Sequence, residues 1–163
     1  RKPRNGEIDG ISYYFKEKHE FEEMIRLKQF IEYAKVYDNY YGTPKTYVMD
    51  KLEKGKNIIL EIDIQGAMQV KRNFKEGVFI FIMPPSFHEL KKRIIGRGTE
   101  TKQDIKKRLR CAYEEVQQVK NYDYVVINDD VHQAAEKVYS IINAEKCRLN
   151  RYSFDFSEFK EEL

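Results

Sequence analysis

Three stretches of the chain are apolar without alternation: NIILEID (57–63), VFIFIM (78–83) and YVVIN (124–128). Continuous runs of this kind, rich in β-branched residues, predict strands buried on both faces of a parallel sheet. Helix signals follow them. Pro84 and Pro85 break the chain after Met83, and Ser86 then stands as an N-cap with Glu89 three residues on. Thr101 with Asp104 forms a second cap pair. It opens a helix whose apolar residues Ile105, Leu109, Ala112, Val116 and Val119 step by four and three. Asp130 caps a last helix with Val131, Ala134, Ala135, Val138, Ile141 and Ile142 on one face. Strands alternating with helices predict an α/β sheet wound by right-handed crossovers.

The first third reads differently. Short alternating segments run from ISYYF (11–15) through a helix around Phe21, Met24 and Ile25 to FIEYAKV (30–36). Pro44 is expected at the first position of a further helix, with Gly55 just past its end. Residues 1–54 are therefore expected to form a small mixed β/α subdomain, and 55–150 the core. The tail, 151–163, alternates aromatic and acidic residues and carries no recognisable chemistry.

Composition narrows the class. With 41% hydrophobic and 35% charged residues the chain is globular and well solvated. A net charge of +3 suits an anionic ligand but falls short of the clustered excess of a nucleic-acid binder. Two cysteines, Cys111 and Cys147, without paired spacing fit a reducing compartment, and three scattered histidines lack metal-ligand spacing. No run reaches membrane-spanning length, so a cytoplasmic protein is expected, as a monomer or homodimer.

Candidate chemistry gathers where strands end, because open α/β sheets bind ligands beyond the carboxyl ends of their strands. Glu61 and Asp63 end the first predicted strand; Asn128, Asp129 and Asp130 follow the third. Glu61 precedes Ile62 inside an apolar run, where an ion is costly unless partnered. Arg1 and Arg4 flank a proline, Arg93 and Arg97 bracket IIG, and Arg108 lies next to the apolar stripe of the following helix; guanidinium forks grip phosphate oxygens in a bidentate way, whereas lysine acts as a point charge. The 96–101 loop has the composition of a mobile lid.

Glu32 is expected to share a strand face with Phe30, Ala34 and Val36. A plain edge strand with a wet face accommodates this pattern; a base-reading site makes specific use of it. Guanine presents two adjacent donors, N1–H and the 2-amino group, and one carboxylate accepts both. Adenine would set its N1 lone pair against the acid. Thr43 is placed to donate to guanine O6, while the Tyr13 and Tyr41 phenols with Arg1 and Arg4 are placed to hold a monophosphate.

In order, RKPRNGEIDGISYYF, FIEYAKVYDNYYGTP, LEIDIQGAMQVK, FIMPPS, GRGTET and YVVINDD each resemble a guanylate kinase signature. The resemblance spans nearly all of 1–147. It implies a P-loop nucleoside monophosphate kinase fold and transfer of the ATP γ-phosphoryl group to GMP with Mg2+. By motif it assigns Arg1, Arg4, Tyr13, Glu32, Tyr41, Gly42, Thr43, Glu61 and Asp63 to GMP. Arg93, Arg97 and Asn128 fall to ATP, and Arg4, Arg97 and Arg108 to catalysis, with a lid over about 93–110. No residue is assigned as a direct metal ligand; Mg2+ comes with the nucleotide, and Glu61 or Asp63 meets it through water.

The family opens with a strand and a GxxxxGK[ST] loop that cradles ATP phosphates, and none of the eight glycines fits that loop. The sequence begins at RKPRNGE without Met, so the P-loop segment is expected to lie outside it, and activity is not expected of the chain as written. The alternative reading is a guanylate-kinase-like scaffold domain that binds phosphopeptides. A third, a nucleic-acid binder, rests on ELKKRIIGRG alone, a run that more often is a solvated helix face.

Overall fold

The computed structural model describes residues 1–4, 6–36, 38–96 and 102–152. The chain forms two compact units, Arg1–Gly77 and Val78–Leu163.

In the first unit, helix α1 (Lys18–Arg26) opens where the Glu20 carboxylate accepts the Glu17 N–H at 2.9 Å. Strands β1 (Phe30–Val36) and β2 (Asn39–Pro44) follow and pair antiparallel, with Glu32 opposite Thr43, Tyr33 opposite Gly42 and Ala34 opposite Tyr41. The register slips between Phe30 and Glu32, so Ile31 is the extra residue of a β-bulge. This bulge corrects the predicted face of Phe30. One inserted residue inverts the alternation before it. Phe30 therefore stacks on Phe21, 4.4 Å between ring centroids, and lies 6.2 Å from Tyr33, on the side opposite Glu32. Tyr40 joins this aromatic face by stacking on Phe21 at 5.3 Å.

Helix α2 (Lys45–Glu53) starts one residue later than the sequence predicts. Pro44 is still the extended last residue of β2, with ψ of 127°, and so serves as the N-cap. Past the helix end Gly55 adopts φ +67°, a left-handed turn open to glycine. Helix α3 (Ile64–Asn73) is capped by Asp63, whose carboxylate accepts the Gly66 N–H at 2.8 Å. It buries Gly66, Ala67 and Val70 and packs along β1. The predicted strand over 57–63 does not form: this segment runs into the α3 cap without a ladder. A strand exists only by pairing, the segment has no bonded neighbour strand among the described residues, and Ile59 is 74% exposed. The 11–15 segment likewise forms no ladder, and Tyr13 makes only an isolated bridge with Asp9.

The second unit meets the prediction more closely. Strands β3 (Ile80–Met83) and β4 (Tyr124–Ile127) pair in parallel, Ile80 opposite Tyr124 through Met83 opposite Ile127. Phe81 and Val126 are buried there, and Tyr122 meets Phe81 edge-on at 5.0 Å. Between the strands lie α4 (Phe87–Gly96) and α5 (Lys102–Val116), with a 3-10 turn at Gln117–Asn121. The Ser86 hydroxyl accepts the Glu89 N–H at 3.1 Å, as the cap signal predicts; the Thr101 cap lies outside the described residues. Helix α6 (Val131–Lys146) is capped by Asp130, which accepts from the Gln133 N–H at 2.9 Å. Near its end the buried Glu145 accepts from the Tyr124 hydroxyl at 2.6 Å and pairs with Arg148 and Arg151, tying the helix to the start of β4.

Candidate functional site

The face of the β1–β2 hairpin away from the aromatic stack carries Glu32, Ala34, Tyr41 and Thr43. Glu32 is 4% exposed, and among the described residues no Lys or Arg pairs with it. The Thr43 hydroxyl donates to its Oε1 at 2.6 Å. Its Oε2 lies against the first turn of α3, only 2.5 Å from where a Cβ on Gly66 would stand. Any side chain at 66 would displace the acid, so this glycine is required by close approach. Burial pushes the Glu32 carboxyl up, with nearby Asp63 adding to the shift and the Thr43 hydroxyl opposing it. A buried acid without a cation is costly for folding alone. While the Thr43 hydroxyl proton is on Glu32 it is not available to a second acceptor.

Arg1 centres a second cluster. Its terminal nitrogens donate to both oxygens of Glu7 at 2.6 Å, and its Nε donates to the Tyr41 hydroxyl at 3.0 Å. The guanidinium lies 5.1 Å from the Tyr13 ring centroid and 6.0 Å from that of Tyr41, which meet edge-on. The Glu7 partnership holds the Arg1 guanidinium more firmly protonated and pulls the Glu7 carboxyl down to about 2. Glu7 also accepts the Arg4 backbone N–H at 2.7 Å, so one carboxylate bonds to both arginines. The Arg4 side chain is exposed, and its charge adds to the lowering of the Glu7 carboxyl. Sequence reasoning brings Arg1, Tyr13 and Tyr41 together correctly but misses Glu7; the bidentate fit of an acid to an arginine six residues away leaves no periodic signal.

The remaining candidates of the first unit are dispersed. Glu61 is exposed, and Asp63 commits one oxygen to capping α3. Gly42 serves the opposite face: a Cβ there would meet Phe30 at 2.9 Å and Phe21 at 3.0 Å.

In the second unit Asn128 sits at the carboxyl end of the parallel pair, its N–H donating to the Met83 carbonyl at 2.7 Å. Arg93 on α4 donates to the Asn128 carbonyl at 2.8 Å, to the Asp129 carbonyl at 3.3 Å and to Glu89 at 3.0 Å. The Arg93 hydrogen bond also lowers the Glu89 carboxyl. Arg108 is half-buried on α5, and Arg97 lies outside the described residues. Cys111 and Cys147 are free and exposed. Among the described residues no three His, Cys, Asp or Glu side chains gather to hold a metal ion, and no helix is long and apolar enough to cross a membrane.

The profile of the guanylate kinase family matches residues 1–145. A guanylate kinase of Clostridium tetani is 62% identical over 151 residues, covering 93% of this chain and 73% of that protein. One from Clostridioides difficile is 54% identical, covering all of this chain and 80% of the relative. Among solved structures, the crystal structure of guanylate kinase from Anaplasma phagocytophilum superposes with a TM-score of 0.79 at 36% identity, over 93% of this chain and 74% of that one.

Proposed function

The chain belongs to the guanylate kinase family, and on that premise we propose how its residues divide the work of an ATP:GMP phosphotransferase. The buried, cation-free Glu32 carries the reading. Its ionised carboxylate accepts guanine N1–H and the 2-amino group beside the bond it already takes from Thr43. Thr43 orients the acid through its 2.6 Å bond and reaches O6 only by turning its hydroxyl away. Arg1, Arg4, Tyr13 and Tyr41 hold the GMP phosphate, with Arg1 already fixed in orientation by Glu7 and the two phenol rings. Gly42 keeps Tyr41 and Thr43 in register by allowing the aromatic stack to close behind them. In this assignment 1–54 is the GMP-binding subdomain, 55–150 the core and about 93–110 the lid.

ATP falls to the second unit, at Asn128 with Arg93 and Arg97. Arg4, Arg97 and Arg108 neutralise the charge that develops on the transferring phosphoryl group, since this chemistry is mostly positioning and charge stabilisation. Glu61 and the second oxygen of Asp63 are hard donors suited to Mg2+ through water. When bound with the nucleotide, the cation offsets phosphate charge. We place the protein in the cytoplasm.

Glu32→Gln tests the assignment. An amide sets a donor against guanine's donors, so GMP affinity should fall by about tenfold or more. Because burial already disfavours the charged acid, stability at neutral pH should hold or rise. Calorimetric titration with thermal unfolding separates the two, and unchanged GMP affinity would remove Glu32 from the site.

A further inference from the structure

Helix α3 packs along β1 and carries Gly66 and Gln69 three residues apart, with its cap Asp63 three residues before Gly66. Gly66 faces the Glu32 carboxylate, as described above. Next along the strand, the Gln69 amide takes both backbone groups of Tyr33: its Nε2 donates to the Tyr33 carbonyl at 2.6 Å, and its Oε1 accepts the Tyr33 N–H at 3.2 Å. These groups lie on the edge of β1 that β2 does not pair. One side chain thus does there what a neighbouring strand would do, and it fixes the sliding position of α3 against β1.

From this arrangement we infer that Gln69 is a positioning residue for nucleobase selection, pinning α3 so that Gly66 and Asp63 set the pose of the Glu32 carboxylate. The inference rests on the reading of Glu32 as the guanine acceptor. Two parallel hydrogen bonds from N1–H and the 2-amino group demand a tightly held carboxylate, whereas a base with N1–H alone tolerates rotation. Loosening α3 therefore penalises GMP more than inosine monophosphate, which lacks the 2-amino group.

The test is calorimetric titration of GMP and of inosine monophosphate into the wild type, Gln69→Met, Gln69→Glu and Glu32→Gln, each first checked for folding by circular dichroism. Gln69→Met removes both bonds at similar length, and Gln69→Glu sets a carboxylate beside the Tyr33 carbonyl. Both should lower GMP affinity about tenfold and that of inosine monophosphate less, so that discrimination between them shrinks. Amide exchange supplies the independent readout: the Tyr33 N–H should be protected in the wild type and lose protection in Gln69→Met. Equal losses for both nucleotides, or an unchanged ratio, would make Gln69 merely structural and overturn the inference. An unprotected Tyr33 N–H in the wild type would do the same even if neither variant folds. Glu32→Gln isolates the premise: if it leaves the ratio unchanged, or if the wild type binds no GMP, the guanine reading itself fails.

Discussion

Two carboxylates in the first unit are pushed in opposite directions by their surroundings. Glu7 is drawn down to about 2 by its bidentate bond to Arg1. A depressed carboxyl contributes stability above its unfolded range and loses it as pH falls through the folded value. The stability gap between wild type and Glu7→Gln should therefore be full at neutral pH, shrink below 4.5 and close near 2. Unfolding midpoints of the two proteins across that range check it; a gap independent of pH would mean that the ion pair does not hold in solution. Glu32 has the reverse sign, because burial raises it and its ionised form opposes folding as pH rises. It was legible in the sequence, since an acid among apolar alternating positions breaks a visible pattern. Glu7 and Gln69 were not, because side-chain bonds across a turn or to a strand edge 36 residues away follow no period.

At the level of elements, the hairpin separates two tasks by face. Phe21, Phe30, Tyr33 and Tyr40 cluster behind it, and Glu32, Tyr41 and Thr43 stand in front. Gly42 lets the back face close on the strand. In Gly42→Ala the new methyl would sit 2.9 Å from Phe30, 3.0 Å from Phe21 and 3.1 Å from the Glu32 carbonyl. Overpacking of this kind costs about 1–3 kcal/mol, so the unfolding midpoint should drop clearly in calorimetry. A midpoint equal to the wild type would show that the stack yields freely. Strand β1 was readable from alternation, but its partner β2 and the Ile31 bulge were not, since pairing and an inserted residue change register without changing composition. The β3–β4 pair and the caps at Ser86 and Asp130 were readable because their signals are local. The 57–63 run shows the limit: apolarity records burial preference, while a ladder also requires a partner.

Across the whole molecule, the residues assigned to GMP lie within Arg1–Gly77, while Arg93, Arg108 and Asn128 belong to the second unit. The family likeness extends over residues 1–145 and both units, so the account stands or falls on whether the buried acid selects its base. The most direct measurement is calorimetric titration of GMP into the folded protein, with AMP as control. The account predicts saturable GMP binding with AMP rejected, because adenine would bring a lone pair to the Glu32 carboxylate. Equal binding of the two nucleotides, or binding of neither by a folded protein, would contradict it.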